Sequence, residues 1–427
     1  MKKLFARIIT PVFISALLFS MQGCVKNKCT SYRTYTYFLP VYKSFAEVRA
    51  NIKSNAPRAI ANPGKIYIKG NYIFLNEINK GIHVINNANP AAPVNAAFID
   101  LPGNVDIAIK ENTLYADFYT DLVAMDISNP TNISVTKFVD NIFPERYYWG
   151  YDTDSSKVIT DWLRKTETVE VNCNGGGDPV GIFTVGGGMM FNAADAGLSS
   201  TSAAAASPVG ISGSLARFAL VNDYLYAVSY DSLKLANVSV PANPVRANAI
   251  NLGWGIETIY PFKDKLFIGS NSGMFIYGLQ DPLNPVQLGT FAHVRTCDPV
   301  IADDNFAYVT LHSGSICAGF TNQLDVLDIS NVLSPQHVKT YQLTNPRGLS
   351  KDGNLLFICD GEDGLKIFDA SNVNSITLKK QFGMQLANDV IAYNNIALVI
   401  ASDGLYQYDY SDPADIKLIS KIAVQNN

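Results

Sequence analysis

LVAMDISNP at 122–130, LDVLDISN at 324–331, LKIFDASN at 365–372 and LYQYDYSDP at 405–413 are copies of one phrase. In each, a β-rich run closes on Asp and passes into a turn of Ser, Asn, Asp and Pro. Looser copies stand at 81–90 (GIHVINNANP), 233–244 (LKLANVSVPANP) and 274–285 (MFIYGLQDPLNP). The closing residues are Asn86, Asp126, Asn237, Gly278, Asp328, Asp369 and Asp409, separated by 40, 111, 41, 50, 41 and 40 residues. A period near forty with several strands per unit is the mark of sheets arranged radially.

Working outward, each copy is preceded by two further strand signals around a polar turn, such as 105–109 and 114–116, and followed by a fourth run, such as 133–139. Four short strands joined by tight turns make one twisted antiparallel sheet, which buries its two faces only by stacking on copies of itself. β-Branched and aromatic residues dominate these runs, which argues against a helical solenoid. The expectation is an all-β chain: a seven-bladed β-propeller of four-stranded antiparallel blades over 64–427. The gap of 111 is then one period plus an insertion at about 145–212, opening on a hairpin-like stretch (158–162 and 168–171). It continues into Gly- and Ala-rich sequence of low complexity, too poor in apolar side chains to order a core of its own. A smaller insertion falls at 313–322, and no phrase for an eighth blade is found in the longer one.

These residues resemble the LVIVD-repeat proteins, bacterial and archaeal cell-surface proteins named for this strand motif. The resemblance spans about 64–424; LVAMD, LDVLD and LKIFD match well, and the copies ending in Asn86, Asn237 and Gly278 depart from the terminal Asp. It implies a β-propeller at the cell surface and carries no general activity.

Residues 1–24 have a basic start (Lys2, Lys3, Arg7), an apolar run at 8–19, and Gly23 before Cys24. The run is short for a permanent span and reads as a secretory signal peptide, with Cys24 the expected site of lipidation and membrane anchoring. Residues 25–63 would be a tether and lead-in, with an aromatic run at 32–42 and a short helix at 45–52. Lys26, rather than an acid directly after Cys24, fits transfer to the outer membrane, so the expected address is the cell envelope, with exposure at the surface. Charged residues make up 16% of the chain and the net charge is −4, which gives nucleic acid no electrostatic footing. In an oxidising envelope Cys297 and Cys317, twenty residues apart in one unit, are the expected disulfide. Cys359 lies in a strand and reads as a buried thiol, while the state of Cys29 and Cys173 is open.

One charged residue stands at the start of each innermost strand: Lys65, Asp106, Arg217, Glu257, Asp298, Arg347 and Asp389. Each lies nine or ten residues before the large residue of the second strand: Phe74, Tyr115, Tyr226, Phe267, Tyr308, Phe357 and Leu398. In a propeller such positions converge on the axis. Two readings follow: a polar ligand site at the channel mouth, or, the favoured one, a circle of salt bridges joining neighbouring blades. The phrase-ending acids are one per blade, which suits turn-capping rather than metal binding. The loops at 152–154 and 360–364 lack a calcium-loop pattern, and the four histidines show no paired spacing, so neither metal nor cofactor is expected. No catalytic motif is found. Trp149, Trp162 and Trp254, with Tyr147, Tyr148 and Tyr151, offer a sugar-stacking platform or, more often for such residues, filling between blades. The leading function is a lipid-anchored, non-catalytic binding or scaffold protein for an envelope protein or glycan. The alternative is a polysaccharide-active hydrolase or lyase using the ring acids, and a third is a purely structural envelope component.

Overall fold

Alternation of β-branched and aromatic residues between Asn- and Gly-rich turns produces strand after strand along this chain. The computed structural model describes residues 30–144, 156–172, 211–293, 299–313 and 321–425. Seven meanders lie at 63–100, 107–139, 218–251, 256–292, 300–342, 349–382 and 387–423, here blades 1 to 7. In every one the four strands pair antiparallel in chain order. The expected seven-bladed propeller is therefore the observed fold.

The repeat also governs details that no single strand would specify. In all seven blades the register between third and fourth strands slips by one residue at the same place, as between Val135 and Lys137 in blade 2. Such a bulge adds local twist and bends the outer strand. The large residues of the second strands are buried at the blade interfaces. Tyr115 and Tyr226 in addition donate their hydroxyls to the carbonyls of Pro241 and Pro282 in the next blade, at 2.9 and 2.8 Å. The proline turn of the phrase is thus a docking point for the preceding blade.

Among the described residues no strand is exchanged between the chain ends, though the Gln425 N–H donates to the Ile60 carbonyl at 2.8 Å. Blade 7 meets blade 1 through side chains: Asn87 and Gln407 exchange amide hydrogen bonds of 3.0 and 2.7 Å, and Ser420 donates to the Pro90 carbonyl at 2.6 Å. Ile66, Ile73 and Leu75 pack there with Ile391, Leu398 and Ile400.

The segment before blade 1 packs onto the blades. A helix at Phe45–Ala50, capped by the Ser44 hydroxyl, stacks Phe45 on Phe118 and pairs Arg49 with Asp121 and Asp140 of blade 2. Ser54–Asn55 adds a short strand to the outer edge of blade 1. The start of the insertion is not the expected hairpin. It is one long strand, Lys157–Asn172, paired with Thr30–Ser44 in a separate two-stranded sheet. The residues between 162 and 168, Leu163 to Glu167, include no Gly or Pro, so they extend a strand more readily than they reverse it. Compactness divides the chain into two units, residues 1–41 with 161–191 and residues 42–160 with 192–427, the latter holding all seven blades.

Candidate functional site

The phrase-ending residues are turn caps. Asp126 Oδ1 accepts from the backbone and hydroxyl of Ser128 at 2.8 and 2.6 Å, and Asp328, Asp369 and Asp409 accept the corresponding backbone N–H of Ser330, Ser371 and Ser411. The serine hydroxyl first, and then the serine N–H, hold all four carboxyls below the usual carboxylate range. Asn86 and Asn237 make the same bond, to Ala88 and Ser239, which explains why Asn replaces Asp there without loss of the turn. At 360–364 the Lys366 ammonium lies 2.5 Å from Asp360 and 2.6 Å from Asp363.

The charged residues at the inner strands fall into two registers. Counting back from the first turn of each blade, Lys65, Asp106, Arg217 and Asp389 occupy one equivalent position, just before Ile66, Ile107, Phe218 and Val390. Glu257 and Arg347 stand one residue earlier, and the shared position is taken by Thr258 and Gly348. Among the six described, the charge therefore stands at two register positions, and in blade 4 Glu257 sits at a bulge between Ile256 and Thr258. The sequence spacing of nine or ten residues concealed this, because it allowed either register. Asp298 lies outside the described residues, as do Cys24, Cys297 and Cys317.

Where the side chains meet, they tie blades together. The Lys65 ammonium lies 2.8 Å from Asp106 Oδ2 with both side chains buried. The other carboxylate oxygen of Asp106 accepts the Ile107 N–H at 2.8 Å, and Oδ2 also takes the Arg217 N–H. One carboxylate thereby links blades 1, 2 and 3. Burial pulls the Arg217 guanidinium below its ordinary value, opposed by the charges of Asp106 and Glu257. On the other side of the circle, Arg347 donates to Asn388 Oδ1 at 3.0 Å, and Asp389 Oδ1 accepts the Val390 N–H at 2.7 Å. Gly348 is needed there: a Cβ would sit 2.5 Å from Asp389 Oδ1. Burial raises the free Cys359 thiol well above its usual value, which leaves it a packing residue rather than a nucleophile.

The centre of the circle is also crossed by the chain itself. Returning from the insertion, Ile211–Ser212 pairs with Ile68 and Tyr67 of blade 1, on the axial edge of its inner strand. Two residues on, the buried Ser214 hydroxyl accepts the Leu349 N–H of blade 6 at 2.6 Å, and the Ala216 carbonyl accepts the Ile259 N–H of blade 4 at 2.8 Å. Six residues thus touch blades 1, 6 and 4. Nothing in GISGSLA signals this, because its role is set by which blades surround it.

Among the described residues no three His, Cys, Asp or Glu side chains gather as a metal site. Of the aromatics singled out in the sequence, Trp254 is 79% exposed and so fills no blade interface. Its ring centroid is 5.7 Å from that of Tyr230, with the planes at 65°. Tyr230 was missed by sequence reasoning, since the two are distant neighbours joined only by the stacking of adjacent loops.

The LVIVD repeat matches residues 103–140, 296–342 and 347–383. The chain therefore carries LVIVD repeats. They coincide with blade 2, blade 5 and blade 6, the blades whose third strands read LVAMD, LDVLD and LKIFD. No curated protein matches the sequence. Among solved structures, the chain is similar to the periplasmic gluconolactonase PpgL of Pseudomonas aeruginosa, with 12% identity, a TM-score of 0.51, and 84% of this chain and 97% of that one covered. A functionally unknown protein from Desulfotomaculum acetoxidans gives 13%, 0.47, 86% and 98%. PorZ, a surface component of the type-IX secretion system of Porphyromonas gingivalis, gives 14%, 0.48, 86% and 39%. At these identities the likeness concerns the fold alone.

Proposed function

We propose that this protein is a lipid-anchored component of the cell envelope, outer membrane in address, whose propeller serves as a non-catalytic binding or scaffold module for a protein or glycan partner. The carrying observation is the commitment of Asp106. A glycosidase needs one carboxyl held protonated and another poised beside the scissile bond. Asp106 is instead buried and bonded to Lys65, Ile107 and Arg217 across three blades. The axis, where propeller sites commonly form, is crossed by 211–216. What remains for recognition is the set of loops on a rigid scaffold, the usual division of labour in binding proteins.

The test uses the full chain in its membrane. Labelling with radioactive palmitate should mark the wild type and spare Cys24→Ser, with the label in the outer-membrane fraction. Crosslinking in intact cells should then capture a partner, while purified protein turns over no polysaccharide. Polysaccharide cleavage abolished by Glu257→Gln, with the fold intact, would replace this reading by the hydrolase or lyase one.

A further inference from the structure

Trp254 and Tyr230 stand on two different loops at the same end of the strands. Tyr230 lies in the turn between the second and third strands of blade 3, and Trp254 in the crossover from blade 3 to blade 4. Both loops are pinned. Leu252 N–H donates to the Asp231 carbonyl at 2.8 Å and Ile256 N–H to that of Tyr230 at 3.0 Å, so each loop holds the other. Gly253 N–H is taken by Asn251 Oδ1 at 2.9 Å, and Asn271 N–H by the Gly255 carbonyl at 2.8 Å. The indole is flanked by two glycines in the left-handed region, at φ +87° and +80°. At Gly255 a Cβ would also strike the Asn271 amide at 2.2 Å. This backbone presents Trp254 outward and gives it no easy route to bury itself.

Blade 2 supplies an internal control. Tyr119 occupies the position equivalent to Tyr230, two residues before the third strand, and is 7% exposed. Its ring covers Gly103 and its hydroxyl donates to the Ile159 carbonyl at 2.9 Å. Tyr230 is 56% exposed and faces the indole. An aromatic at this position is thus covered in one blade and left open, beside a second ring, in the next.

We infer that Trp254 and Tyr230 form a carbohydrate-stacking subsite that takes a pyranose ring of a glycan. This rests on the binding reading above and names its ligand class. Two angled rings with exposed faces offer an apolar bed for the C–H face of one sugar. The nearby residues in sequence and structure, Asn251, Asn271, Ser272 and Asp231, are the amide, hydroxyl and carboxylate types that bond sugar hydroxyls. A protein partner would need a contact burying on the order of 1,000 Å² in total. The other exposed large apolar residues of blades 3 and 4, Val240, Val245 and Val286, lie at the opposite ends of the strands and cannot extend this one.

The experiment applies the purified full chain in detergent to an array of neutral and N-acetylated hexose oligosaccharides, with indole fluorescence as a second readout. Binding is expected, with a blue shift, and Trp254→Ala and Tyr230→Ala should each weaken it by about tenfold or more. Tyr32→Ala, at an exposed aromatic in the other unit, should leave it unchanged. Near-ultraviolet circular dichroism confirms that each variant is folded. Oligosaccharide binding undiminished in Trp254→Ala, or no binding on the array, overturns the inference. If cell crosslinking still captures a protein partner in either case, the scaffold function stands and only the sugar subsite falls.

Discussion

Lys65 and Asp106 are withdrawn from water together, 2.8 Å apart. A buried pair contributes little beyond what an apolar pair would, because desolvation offsets most of the attraction, but removing one partner strands the other. Lys65→Met should therefore lower stability by about 3–5 kcal/mol, read as a shift in the urea midpoint at unchanged slope. A midpoint unchanged within error would mean that Asp106 finds sufficient compensation in Ile107 and Arg217 alone. The identity of these residues was legible in the sequence, where one charge marks each inner strand. Their partners were not, because Asp106 meets Lys65 and Arg217 only once three blades are stacked.

At the scale of the element, the phrase is a turn device with a second use. Its Asp or Asn caps the turn, its bulge twists the outer strand, and its proline carbonyl receives a tyrosine from the preceding blade. The first use was read directly from Asp-x-Ser-Asn, since the capping bond is local. The other two depend on the neighbouring strand and the neighbouring blade. Inner strands show the same dependence in their one-residue offset. Gly348 occupies the position held by Lys65, Asp106, Arg217 and Asp389 elsewhere, because the Asp389 carboxylate of blade 7 fills the space its side chain would take. Gly348→Ala should cost about 1–3 kcal/mol by overpacking, measured by thermal denaturation. Gly353→Ala tests a different effect: a Cβ there meets nothing, but φ is +53°, so its cost isolates backbone strain.

At the scale of the molecule, the described residues close the circle without a shared strand. The Asn87–Gln407 amide pair, the Ser420 bond and the isoleucine-rich seam do that work between blades 7 and 1, while 211–216 braces blades 1, 6 and 4 from within. Ser214→Ala would leave the buried Leu349 N–H without its acceptor, at a cost of about 1–3 kcal/mol. The melting temperature should fall while far-ultraviolet circular dichroism keeps its β-sheet form. A melting curve identical to wild type would show that the brace carries no load.

The repeat alone determined the strand content, the number of blades and the caps of their turns, because alternation and Asx bonds act within a few residues. It also marked the inner-strand charges and Trp254 as residues to explain. Which charges pair, which register each inner strand takes, what crosses the axis and which aromatic stays exposed were decided only by tertiary structure. Those outcomes depend on side chains drawn together from tens to hundreds of residues apart, and their distances are set by the stacking of whole sheets rather than by any local spacing.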